Sequence, residues 1–173
     1  SLAPRNFQNC MIAFSRLRYS DLELVERLMM GVRRLLDNHD PISPKTDKSV
    51  LFSYTCLDGS EVPADAFRIN SLTVILNACE EFRLESPHLD RCYVSMASYV
   101  LRSLLRSPPM MRSDSDAADF VAALARAAVG RKRLKAVLDP FLQLLPEVLS
   151  NASLRSRARL CEAFNHAGLD VDI

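Results

Sequence analysis

Apolar residues in this chain recur at three- and four-residue spacing, the period of amphipathic helices rather than of strands. In residues 69–106, one stripe is Leu72, Ile75, Leu76, Cys79 and Phe82, and a second is Leu89, Cys92, Tyr93, Met96, Val100, Leu101 and Leu104. Between them lies a tight corner, Arg83-Leu84-Glu85-Ser86. Ser86 is suited to the N-cap, and Pro87 to the first helical position, where its missing N–H costs nothing. This stretch reads as helix, corner, helix.

The same pattern recurs along the chain. In residues 6–17, Phe7, Cys10, Ala13 or Phe14, and Leu17 are expected to face inward. Ser20 or Asp21 then caps a helix with Leu24, Leu28, Val32 and Leu35 in register. A shift of 65 residues sets Cys10 on Ile75, Ala13 on Ala78, Phe14 on Cys79 and Leu17 on Phe82. A shift of 110 reaches Phe120, Ala123, Leu124, Ala127 and Val129, followed by Leu134, Leu138, Leu142 and Leu145. A shift of 150 reaches Leu160, Ala163, Phe164 and Ala167. The small residue shared by Ala13, Ala78, Ala123 and Ala163 would let successive first helices approach closely.

These matches predict an all-α chain of about seven to eight helices, an irregular helical-hairpin repeat resembling an α-solenoid. The chain reads as a single helical-repeat domain or segment over 1–173. Its hairpins fall at about 6–38, 69–106 and 114–149, with a final helix over 153–168. A non-repetitive helical bundle has the same apolar period and is the other reading. Pro140 and Pro146 fall inside the second helix of the third hairpin and are expected to kink it or split it in two. Ser113 or Ser115 is placed to cap the helix after the Pro108-Pro109 break, and Ser153 the last one.

Residues 39–68 interrupt the repeat and contain Pro41, Pro44 and Pro63. Residues 49–56 alternate weakly in polarity, and Leu57-Asp58-Gly59-Ser60 reads as a turn. A short β-hairpin or an ordered loop near 49–63 is therefore expected. Val50, Leu51, Phe52 and Tyr54 are too apolar for a solvated linker.

Half the residues are apolar and a quarter charged, with four glycines and no tryptophan, which suits a helical fold with few special turns. The net charge of +1 conceals a local bias: residues 126–159 hold eight lysines and arginines against two acids. The candidates for contact with RNA or an acidic partner are Arg126, Arg131, Lys132, Arg133, Lys135, Arg155 and Arg159. In a stacked array Arg16, Arg83, Arg126 and Arg159 would line one wall formed by the first helices. Met110 and Met111, beside the Pro-Pro break, are candidates for apolar docking.

Five cysteines without a CxxC spacing point to free thiols in a reducing compartment. None of His39, His88 and His166 has a second histidine at i+4, and no metal site is expected. There is no glycine-rich phosphate loop, GxSxG or HExxH, and no apolar run long enough to span a membrane. No catalytic residue or cofactor is expected, and DNA is not an expected partner.

Residues 10–24, Cys10-Met11-Ile12-Ala13-Phe14-Ser15-Arg16-Leu17-Arg18-Tyr19-Ser20-Asp21-Leu22-Glu23-Leu24, resemble the helical repeats that precede RAP domains. Such repeats occur in organellar RNA-binding proteins of the FAST-kinase-like and octotricopeptide kind. Residues 76–86 are similar, and the likeness covers about two-thirds of the chain. The resemblance implies a mitochondrial matrix location and a non-catalytic subunit of a ribonucleoprotein, either the mitochondrial ribosome or an RNA-processing complex. Its partners would be protein subunits of that assembly together with rRNA or other organellar RNA. The alternative is a protein-only scaffold, such as an accessory subunit or assembly factor of a respiratory-chain complex. An enzyme assembled from dispersed residues is the third reading.

Overall fold

The computed structural model describes residues 4–19, 21–38, 53–55, 61–63, 67–82, 86–106 and 113–169. They form seven helices: α1 (Pro4–Leu17), α2 (Leu22–Asn38), α3 (Ile69–Glu81), α4 (Pro87–Arg106), α5 (Asp114–Ala127), α6 (Lys132–Asn151) and α7 (Leu154–Ala167). Between α2 and α3, β1 (Ser53–Thr55) pairs antiparallel with β2 (Glu61–Pro63), with Tyr54 opposite Val62. The short hairpin expected near 49–63 therefore has its two strands, while the turn expected at 57–60 lies outside the described residues.

The helix ends follow local chemistry. Asp21 caps α2, its Oδ1 accepting from Leu24 N at 3.0 Å. Ser86 Oγ accepts from His88 N at 3.1 Å ahead of Pro87. Ser113 and Ser153 cap α5 and α7 by accepting from Asp116 N and Ser156 N. Each side chain satisfies a first-turn N–H that has no partner within its own helix. Gly168, at φ 63°, closes α7 in the left-handed conformation that glycine adopts without steric cost.

The helices stack in two rows. The first helix of each hairpin packs on the next, α1 on α3, α3 on α5 and α5 on α7, while α2 packs on α4 and α4 on α6. The expected all-α architecture of helical hairpins is thus present, with the hairpins stacked in two rows. Ala78, Ala123 and Ala163 are buried in the first row, where a larger side chain would hold neighbouring helices apart. In the second row Cys92 Sγ donates to Met29 O at 3.3 Å, fixing α4 against α2. Phe120 and Phe141 join the rows, their ring centroids 6.3 Å apart. Tyr99 Oη donates to Phe67 O at 3.1 Å and ties the entry to α3 onto α4.

The structure corrects the inward positions of the first hairpin. Leu17 is 76% exposed and Ala13 is also exposed, while Met11 is fully buried beside Phe7. Among the described residues of the first row α1 packs on α3, which covers one side of it. In α2 the fully buried stripe is Val25, Met29, Val32 and Leu36. Leu24, Leu28 and Leu35 are half-buried with Gly31, whose Cα lies against the Phe7 ring of α1. The apolar face of α2 is thus shared between two neighbours, which the periodicity alone does not divide.

Pro140 and Pro146 do not split α6, which runs unbroken from Lys132 to Asn151. Both prolines are exposed, as is Ala136, whose carbonyl loses its partner at Pro140, so water can take the place of the missing bond. In α6 Phe141 is buried where Leu142 was expected, and Val129 is exposed in the preceding corner.

Candidate interaction site

Among the described residues, the helix ends that flank the three hairpin corners lie side by side along one edge of the array. Four contacts establish this alignment. Ser15 Oγ at the end of α1 donates to the Glu81 carboxylate at the end of α3. Ser86 Oγ at the start of α4 donates to Glu26 of α2. Arg131, at the start of α6, reaches back to Glu80 and Asp90 of the second hairpin. Lys135 Nζ donates to Ala167 O at 3.4 Å, placing a cation at the C-terminal end of α7, where the helix dipole favours it.

Arg131 is the most heavily engaged residue on this edge. It occupies the N-cap of α6 yet makes no capping bond, and a cation there opposes the helix dipole. Its compensation comes from the neighbouring hairpin. Nη1 lies 3.0 Å from Glu80 Oε1 and 3.8 Å from Asp90 Oδ1, and the guanidinium sits 5.8 Å from the centroid of the Tyr93 ring. Tyr93 Oη donates to the same Glu80 oxygen at 2.9 Å. With its side chain 14% exposed, Arg131 works as a bolt between the second and third hairpins. Burial opposes its charge, but Glu80, Tyr93 and Asp90 outweigh that and raise its pKa.

The same cluster perturbs its neighbours. Burial, reinforced by Cys79 and Glu80, pushes the Tyr93 phenol well above its ordinary value. Burial pushes the Cys79 thiol up to about 12 and the Cys92 thiol up to about 11. Both thiols are therefore held as small apolar groups.

A cleft of about 270 Å³ opens between the second and third corners, lined by Ser86, Pro87, Asp90, Val129, Gly130 and Arg131. A second, of about 310 Å³, lies between the first and second corners and is lined by Ser15, Arg18, Glu81 and Phe82. Arg18 has φ 52°, a left-handed conformation that costs a non-glycine residue about 1 kcal/mol or more. Gly130, at φ 76°, turns the third corner without that cost.

The sequence candidates divide into engaged and open cations. Arg126 Nη2 donates to Asn77 Oδ1 at 3.2 Å, linking α5 to α3. Arg159 pairs with Asp119 Oδ2 at 3.3 Å, linking α7 to α5, and leaves the buried Oδ1 of Asp119 without a hydrogen-bond partner. Arg16, Lys132, Arg133 and Arg155 are exposed and have no ion-pair partner among the described residues. Arg155 stands at the start of α7, beside the C-terminal end of α6. The twenty residues of α6 separate it from Lys132 and Arg133 by about 30 Å. The basic run of residues 126–159 is thus not brought into one patch. Arg83, Met110 and Met111 lie outside the described residues.

The arrangement links separate hairpins and presents open surface. Among the described residues no group of three His, Cys, Asp or Glu side chains is placed to hold a metal ion, and no helix is long and apolar enough to cross a membrane. Sequence reasoning missed the partnership of Arg131 with Glu80, Asp90 and Tyr93, because the partners lie 38 to 51 residues earlier in the chain. An arginine where serine or aspartate would cap the helix was the available signal. The chain was compared with family models, curated proteins and solved structures, and it matches none of them.

Proposed function

We propose that this chain is a non-catalytic helical-repeat interaction subunit of a mitochondrial ribonucleoprotein, the mitochondrial ribosome or an RNA-processing complex. The observation that supports an interaction role is the stacking of hairpins in two rows. Such an array spreads its residues over long lateral faces, and solenoids use these faces to hold partners. Protein neighbours would meet those faces, and RNA backbone would meet the exposed cations Lys132, Arg133, Arg155 and Arg16. The compartment rests on the resemblance to RAP-associated repeats.

Sedimentation of the native protein from a gentle lysate, with and without ribonuclease, tests this reading. A large particle that collapses on ribonuclease treatment is expected. A particle indifferent to ribonuclease but dispersed by detergent would overturn the RNA part. It would favour the protein-only reading, an accessory subunit or assembly factor of a respiratory-chain complex. One observation supports that second reading: Arg126, Arg131 and Arg159 are engaged by Asn77, Glu80, Asp90 and Asp119 within the chain.

A further inference from the structure

We propose that the open face of α1 seats an amphipathic helix of a partner protein, acidic on its polar side, as a further member of the first row. The proposal rests on the interaction-subunit reading and names the place and the partner class.

The repeat itself shows which face is meant. In α7 the buried stripe includes Leu160, Ala163, Phe164 and Ala167, and its neighbour in the first row is α5. This is the face that a first helix turns toward its predecessor. The same repeat positions are Phe120, Ala123, Leu124 and Ala127 in α5, and Ile75, Ala78, Cys79 and Phe82 in α3. All of these are buried except Phe82, which is half-buried. In α1 the positions are held by Cys10, Ala13, Phe14 and Leu17. There Ala13 and Leu17 are exposed, and Cys10 and Phe14 are half-buried. On α2, in the stripe whose Gly31 touches Phe7, Leu24, Leu28 and Leu35 are also only half-buried. Single exposed apolar residues are ordinary, whereas a whole stripe that the row buries elsewhere is not.

The other end of the row is finished differently. Arrays of stacked repeats are normally closed by a polar outer face. In α7 Arg157 stands where α1, α3 and α5 carry Phe7, Leu72 and Ala117, and it donates to the carbonyls of Ser150 and Ala152. Glu162, Asn165 and His166 of the same helix are exposed. The apolar stripe of α1 has the opposite character, that of a seam awaiting a neighbour.

Shape and charge select the occupant. Ala13 continues the series Ala78, Ala123 and Ala163, the small residues buried where first helices meet. A small residue suits the close approach of a helix, while a lipid surface gains from bulky apolar groups and a nucleic-acid strand from aromatic faces. Residues 1–20 hold Arg5, Arg16 and Arg18 and no acid, and residues 1–38 hold six arginines against four acids. A second copy joined through α1 would set like charges together, and one joined head to tail would press Arg157 onto the apolar stripe. An acidic helix meets neither cost. Within the row Arg126 of α5 reaches back to Asn77 of α3, and Arg16 holds the same repeat position on α1. Arg16 would reach a carboxylate on the docked helix in the same way.

The test is a fluorescence-anisotropy titration of the full chain with a labelled, blocked peptide of three Leu-Glu-Glu-Leu-Ala-Ala-Glu repeats. Its counterpart with lysine for glutamate and an oligouridylate of similar length are the other probes. The acidic helix is expected to bind, and a photoreactive group replacing Leu17 should cross-link to it. Ala13→Leu, which fills the close approach, should weaken binding about tenfold or more, as should Arg16→Glu. Leu154→Ser combined with Ala158→Leu, on α7, should leave it unchanged. All these positions are exposed, and melting curves confirm that each variant folds. The proposal is overturned by no binding of the acidic peptide, by equal binding of the lysine peptide, or by tighter binding to Ala13→Leu. It is also overturned by cross-links from Leu17 to a second copy, to its own chain, or to oligouridylate in place of the peptide. The titration reads the purified chain and sedimentation reads the native particle, so either reading can fail while the other stands.

Discussion

Gly31 lies in the middle of α2, where an alanine would ordinarily stabilise a helix by up to about 1 kcal/mol. Here the sign should reverse. A Cβ at this position would sit 2.8 Å from both Cε1 and Cζ of Phe7, well inside van der Waals contact. Phe7 is buried between the first two helices and their neighbours, so its ring can yield only by displacing packed side chains. Overpacking of this kind costs about 1–3 kcal/mol. Gly31→Ala should therefore destabilise the protein by about 1 kcal/mol net, which is about 2–4 °C in Tm for a chain of this size. Phe7→Leu should cost about 1 kcal/mol alone by thinning the contact. In that background Gly31→Ala should become neutral or stabilising. The double-mutant cycle should then show a coupling of about 1–2 kcal/mol. The assay is urea and thermal unfolding followed by far-UV circular dichroism, with amide exchange of α1 as a local readout, since α1 should fray first. A rise in Tm for Gly31→Ala in the native background would refute the reasoning. So would an identical effect with and without Phe7→Leu.

Four further outcomes follow from the packing and the charges. Arg131→Met should destabilise by about 2 kcal/mol in urea unfolding, less than a fully buried pair because Glu80 is a quarter exposed, and Glu80→Gln in the same chain should recover part of the loss. Cys79 and Cys92, with thiols raised to about 12 and 11, should alkylate at neutral pH at least about a hundredfold more slowly than the half-buried Cys10 and Cys161, as measured by mass spectrometry of labelled peptides. These thiols and Tyr93 are held protonated in the fold, so the unfolded chain loses their protons first. Their contribution to stability is full below pH 9 and is lost as pH rises through 11 to 12, which an alkaline melting series should show. Finally, Pro140→Ala restores a helical N–H at an exposed site of α6 and should stabilise by about 1 kcal/mol, after allowance for the greater freedom of the unfolded chain; a loss of stability would indicate that a bend at Pro140 is needed to follow α4.

Much of the architecture is carried by local chemistry. The three- and four-residue apolar period, the caps at Asp21, Ser86, Ser113 and Ser153, and Pro87 at a first helical position specify where helices begin and which broad face they bury. The recurrence of alanine at 78, 123 and 163 marks the close approach within the first row. These features depend on residues a few positions apart, so they are legible along a line.

What a neighbour does to a face is decided only in three dimensions. The apolar residues of α2 are divided between α4 and α1, and Leu17 and Ala13 are left open because the first row covers one side of α1. The role of Arg131 depends on Glu80 and Asp90, remote in sequence and brought together by hairpin stacking, so its basic neighbours in the chain gave no hint that it faces inward. Periodicity records how much of a helix is apolar. Which residues meet, and which cations remain open to a partner, is set by the packing of helices across the rows.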